Sequence, residues 1–119
     1  WINSGYEYYY IVENIDNPGT ISGDESQCGS YNPGNIANAT APSGGGPGSR
    51  EYRWQSKVDN GSWTVIPGET NWNYNPGIIS QTTQYRRGVR IASPTDCASY
   101  LNSNVVTKTV TDNFTNAGE

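Results

Sequence analysis

The residues of this 119-residue chain that could do chemistry are few, and their types narrow the chemistry early. Histidine is absent and cysteine occurs only as Cys28 and Cys97, so general acid–base work would fall to carboxylates. Asp24 and Glu25 are adjacent and lie near Asp16, yet no spacing marks one of them as an acid and another as its base. No Ser-His pairing, HExxH, Cys/His cluster, EF-hand loop or phosphate-cradling loop occurs. No catalytic residue and no cofactor is therefore expected, and the chain reads as a non-enzyme. Asp16, Asn17, Asp24 and Glu25 offer oxygen ligands for Ca²⁺, but acids solvated at hinges are the plainer reading, so no metal is expected. Aromatic rings are the larger resource, with 9 Tyr and 4 Trp. Trp1, Trp63, Trp72 and the cluster Tyr6–Tyr10 could stack on sugars, which makes a carbohydrate-binding module the alternative reading.

The length suits one domain with one core. Only 15% of residues are charged, while 14 Gly and 7 Pro interrupt the chain and no apolar period of 3.6 residues is sustained, so helices are not expected. The net charge is −4 without a basic run, against a nucleic-acid partner, and no apolar stretch is long enough to span a membrane. A chain without Met that begins at Trp1 is expected to be processed or a piece of a longer one. An even cysteine count in a Gly-, Tyr- and Asn-rich chain points to an oxidising, extracellular compartment and a Cys28–Cys97 disulfide. Closing so long a loop would stabilise the fold by roughly 4 kcal/mol in the chain-entropy model, so reduction should lower the melting temperature. Asn38, Asn60 and Asn113 fit the glycosylation pattern, but Asn60 is better explained by a turn.

These residues must be carried on strands. Tyr52, Trp54 and Ser56 alternate with Arg53, Gln55 and Lys57, which places Tyr52 and Trp54 on one face, with Trp54 filling the core. Asn60-Gly61 is a hairpin signal of the type that needs left-handed backbone at both residues, returning the chain through Trp63–Ile66. Further strands are expected at 6–13, at Thr20-Ile21, within 35–40, at Trp72–Tyr74, over Thr83–Ile91 and over Asn104–Thr111. In Thr83–Ile91, Tyr85, Arg87, Val89 and Ile91 share a face opposite Gln84, Arg86, Gly88 and Arg90. Arg87 thus falls in an apolar row, and its guanidinium is expected near a sheet rim. Val106 and Val110 face inward on the last strand. Residues 41–50, rich in Gly and Pro, read as a loop, either a binding loop or a surface insertion.

In order, Tyr52-Arg53-Trp54-Gln55, Asp59-Asn60-Gly61, Trp63, Gln84-Tyr85-Arg86-Arg87, Cys97 and Ser103-Asn104-Val105-Val106 resemble the Ig-like (PKD-like) repeat of large Bacteroidetes surface proteins, over about residues 17–111. The resemblance implies an all-β, Ig-like antiparallel β-sandwich of about seven strands with one disulfide, its core including Tyr52, Trp54, Tyr85, Val89 and Val106. It also implies an extracellular, adhesin-type setting at the cell surface. Cys28 and Cys97 match that family's two cysteines, which would tie an early loop to the loop before the last strand. Tyr85 takes the place of an Ig tyrosine corner, with Arg87 where antibody domains have cysteine. Lys108 departs from the apolar preference of the last strand.

The two ends of the chain resemble each other. Setting Asn17 on Asn116 places Ile11 on Val110, Glu13 on Asp112, Asn14 on Asn113, Ile15 on Phe114 and Gly19 on Gly118, the mark of a tandem repeat. Residues 1–16 then read as the end of a preceding repeat and a linker, 17–111 as the domain, and 112–119 as the next linker. Tyr6, Tyr8, Tyr10 and Val12 are the candidates for strand complementation with a neighbouring copy in a head-to-tail filament.

Overall fold

The computed structural model describes residues 13–46, 48–92 and 99–111. Among them there is no helix, and eight strands form two sheets: β1 (Thr20–Ser22), β2 (Glu25–Cys28), β3 (Ala37–Thr40), β4 (Arg50–Val58), β5 (Thr64–Val65), β6 (Thr83–Ile91), β7 (Leu101–Asn102) and β8 (Val106–Thr111). β1 and β3 make a two-stranded layer. The other six follow the order β2-β8-β6-β4-β5, with β7 beside β8 on the same edge of β6.

The centre is the nine-residue antiparallel pair β4–β6, in register from Arg50↔Ile91 to Val58↔Thr83. Alternation sends Trp54 (0% exposed), Tyr85 and Val89 inward, where Ile21 and Ile36 from the first layer and Val106 from β8 meet Trp54 and Tyr85. The Trp54 indole N–H donates to Asn71 O at 2.7 Å, so the largest core residue buries no unpaired polar atom. A second cluster of Ile15, Val89 and Ile91, flanked by Tyr52 and Leu101, fills the other end. This is a β-sandwich-like arrangement in which Trp54, Tyr85 and Val106 share one cluster, while Val89, with the half-buried Tyr52 against it, belongs to the other.

Several expectations are corrected. The fold is not wholly antiparallel, because β2 runs parallel to β8. At Gly23, with φ of +136°, the chain leaves the first layer and joins the second without reversing, and Thr107 N–H donates to Asp24 Oδ1 at 2.8 Å as it arrives. Trp72–Tyr74 is not a strand: Tyr74 makes one bridge to Ile36, and Asn73 Oδ1 takes the Asn38 N–H that a strand backbone would otherwise accept. The hairpin after β4 closes elsewhere than expected. Its hydrogen bond runs from Gly61 N–H to Val58 O, and the left-handed residue is Asp59, with φ of +48°.

Residues 13–16, assigned by sequence to the segment before the domain, are built into it. Glu13 and Gly46 exchange backbone hydrogen bonds, Asn17 and Ser43 do the same, and Ile15 is 3% exposed. The Gly-rich loop is the partner of this segment. At Gly45 (φ +79°) a Cβ would stand 2.8 Å from the Asn14 and Ile15 backbone, so only glycine lets the two chains approach. The strand expected at 6–12, with Tyr6, Tyr8, Tyr10 and Val12, lies outside the described residues.

Candidate functional site

The path of the chain gives the molecule two functional ends. The chain enters the domain where Arg50 pairs with Ile91: there Glu13 meets Gly46, Asn14 Oδ1 accepts the Ile91 N–H at 3.0 Å, and Asn14 Nδ2 donates to Ser99 O at 2.7 Å. It leaves where Val58 pairs with Thr83, since β8 ends beside Thr82, whose hydroxyl exchanges hydrogen bonds with Val110. The nine residues of β4 between them set the ends about 26 Å apart.

The exit end carries a cavity of about 370 Å³ between the inner sheet face and residues 66–81. Tyr74 and Tyr85 line it, and Ile78 (77% exposed) and Val58 stand at its edge. The tyrosine rings lie 5.8 Å apart, and burial, with Tyr74 beside it, pushes the Tyr85 hydroxyl up to about 12. Ser56, Ser80, Gln81 and Thr83 add polar groups to the lining, so the cavity is mixed in character.

Two buried cations, Arg87 and Lys108, hold the layers together. Arg87 is 0% exposed, so it does not reach a rim. Its Nη1 donates to Asn38 Oδ1 at 2.9 Å and Trp72 O at 3.0 Å, and its Nη2 to Pro18 O at 3.2 Å, while the guanidinium lies 5.5 Å from the Tyr52 ring. Burial pushes its pKa below the usual guanidinium range. Lys108, at 1% exposed, does face inward. Its Nζ donates to Gly23 O and stands 3.6 Å from Glu25 Oε2.

The weak calcium ligands are thereby separated and used. Glu25 also accepts the Gly34 N–H at 3.0 Å, Asp24 caps β8, and Asp16 lies against Gly44. Among the described residues no group of three or more acids, Cys or His converges.

The outer face of β4–β6 holds the other concentration of charge, which was not among the site residues expected from sequence. Arg86 lies 4.2 Å and Lys57 5.6 Å from the Trp63 ring, and Arg53 and Arg90 lie 4.1 and 4.5 Å from the Tyr100 ring. Tyr100 occupies the notch at Gly88, where a Cβ would come within 3.2 Å of it. Arg86 Nε donates to Gln55 Oε1, and Arg90 Nε pairs with Glu51 at 2.7 Å. The Arg90 hydrogen bond lowers the Glu51 pKa, whereas burial lowers that of Arg86, with Arg53 adding to the effect. Alternating Arg53/Lys57 and Arg86/Arg90 in two strands was the available signal. Tyr100 gave none, because its place depends on the pairing of β7 with β6.

The sugar-stacking candidates do not form a platform. Trp63 is already stacked by cations, Trp72 is exposed but stands apart with its carbonyl on Arg87, and Trp1 lies outside the described residues. Cys28 is exposed at the exit end, its sulfur 3.3 Å from Thr111 Oγ1. Cys97, and with it the expected Cys28–Cys97 disulfide, lies outside the described residues.

A family model described as a domain of unknown function, DUF8696, matches residues 17–112. No curated protein and no solved structure matches the chain.

Proposed function

The chain belongs to the DUF8696 family, and from that premise we propose that it is a non-catalytic structural module, one unit of a head-to-tail array in a long extracellular, adhesin-type surface protein or fibre. The observation that carries this reading is the opposed entry and exit of the chain, at Glu13 and at Thr111. The internal similarity sets a repeat interval of 99 residues, from Asn17 to Asn116, and the matched family model spans residues 17–112, close to one such interval. Residues 6–12 correspond to the last strand of the preceding unit, and Asn113 and Phe114 would serve the next unit as Asn14 and Ile15 serve this one. The cavity mouth at Val58 and Ile78 then meets the entry end of the following copy. An Ig-like sandwich accommodates this plan, since its layers close side to side and leave both ends free for neighbours. Glycan stacking has less support, because only Trp72 offers an exposed ring among the described candidates.

The test is to express one, two and three consecutive copies of residues 13–111 and measure their length by small-angle scattering. Each copy should add a constant increment of at least about 26 Å. A folded-back double copy, whose length falls well short of that increment, overturns the reading.

A further inference from the structure

The outer face of β4–β6 collects four of the seven cationic residues of an acidic chain, Arg53, Lys57, Arg86 and Arg90, against one of its eleven carboxylates, Glu51. The strand register makes them a row. Arg90 stands opposite Glu51 and Arg86 opposite Gln55, so positions 51, 53, 55 and 57 along β4 each carry one cation. Their spacing is about 6.8 Å over some 20 Å of strand. The side chains are held in place: rings of Trp63 and Tyr100 carry two cations each, and Gln55 fixes Arg86. Holding like charges side by side opposes their own ionisation, as the effect of Arg53 on Arg86 records. A row of cations fixed side by side against that repulsion is a site prepared for anions.

From this geometry we infer that the outer face of β4–β6 binds a linear acidic polysaccharide through its carboxylates. Charge complementarity selects a polyanion, since the face is net positive on a chain of net charge −4. A folded protein partner would need an apolar centre to bury, and here the rings are already covered by cations. A single-stranded nucleic acid would need free ring faces on which to stack its bases, which the same cations occupy. A hydrated uronate chain needs neither, only guanidinium forks at regular intervals. The site is independent of the array reading, because it lies on a side of the domain and not at either end.

The experiment uses the full chain and polygalacturonate, with the methyl-esterified polymer as the uncharged control, in affinity electrophoresis. Polygalacturonate should retard the protein, the ester should not, and about 0.5 M salt should abolish the effect by screening. The double variant Arg53→Gln/Arg86→Gln should weaken binding at least about tenfold. Lys57→Gln, whose ammonium lies 5.6 Å from the Trp63 ring, should weaken it about threefold with an unchanged circular dichroism spectrum, which keeps the test informative if the double variant misfolds. The inference is overturned if polygalacturonate does not bind at low salt, if the ester binds as well, or if Lys57→Gln and the double variant bind like the parent. It is equally overturned if Trp72→Ala abolishes binding, if single-stranded DNA binds more tightly, or if the face proves to be covered by salt-sensitive self-association.

Discussion

Arg87 joins three segments distant in sequence, Pro18, Asn38 and Trp72, through neutral oxygen acceptors on one buried guanidinium. Removing it leaves those acceptors facing an apolar side chain in the interior. Arg87→Met should therefore cost about 3 kcal/mol or more in urea unfolding. Arg87→Lys should recover only part of that, because an ammonium carries its donors on one nitrogen and cannot span acceptors divided between two guanidinium nitrogens. A loss below about 1 kcal/mol for Arg87→Met would show that the guanidinium is not what holds the layers. Tyr85 sets a pH limit on the same core. Its hydroxyl is raised from 10.0 to about 12 in the folded protein, so between those values the unfolded chain releases a proton that the folded chain keeps. Stability from this group is complete below pH 10 and falls as pH rises towards 12. Urea midpoints should drop across that window, and Tyr85→Phe should flatten the drop; an unchanged slope in the variant would assign it to other groups.

Among the elements, the loop after β4 separates the sequence reading from the folded one. Asn60-Gly61 was the expected pair of left-handed residues, yet the structure places that backbone at Asp59, whose N–H donates to Thr82 O and whose carboxylate accepts from Gln81. Asp59→Ala should destabilise by about 1 kcal/mol, since alanine tolerates positive φ poorly. Asn60→Ala should change stability by less than about 0.5 kcal/mol. The reverse order in thermal unfolding would restore the tighter turn. The β4–β6 pair itself was legible in full, because nine residues of alternation in each strand fix the inward face. β2 was not legible: Glu-Ser-Gln-Cys has no apolar alternation, and the strand exists because β8 offers it an edge.

For the whole molecule, the exposed rim at the exit end belongs to a junction if copies follow one another. Ile78→Ser should leave a single copy within about 0.5 kcal/mol of the parent, because its side chain is exposed there. In the double copy the same change in the first unit should remove apolar burial worth about 1 to 2 kcal/mol, read in calorimetry as a lower transition for that unit. Equal effects in single and double copies would mean that the next unit does not cover the rim.

By itself the sequence determined the all-β class, the two long central strands and the inward placement of Trp54, Tyr85, Val89 and Val106. Each follows from local alternation and turn residues, which act over a few positions. It also held the internal similarity of the two ends, which is a comparison of residues and needs no fold. Tertiary structure decided what depends on distant neighbours. Arg87 is buried because oxygens from three remote segments converge on it, and Ile15 is core because a glycine loop thirty residues later leaves room for its backbone. The outer row of cations exists because antiparallel register interleaves two strands. Likewise Cys28 falls at the exit end beside Thr111 because β2 runs parallel to β8, a path set by sheet edges and not by any pattern within the chain.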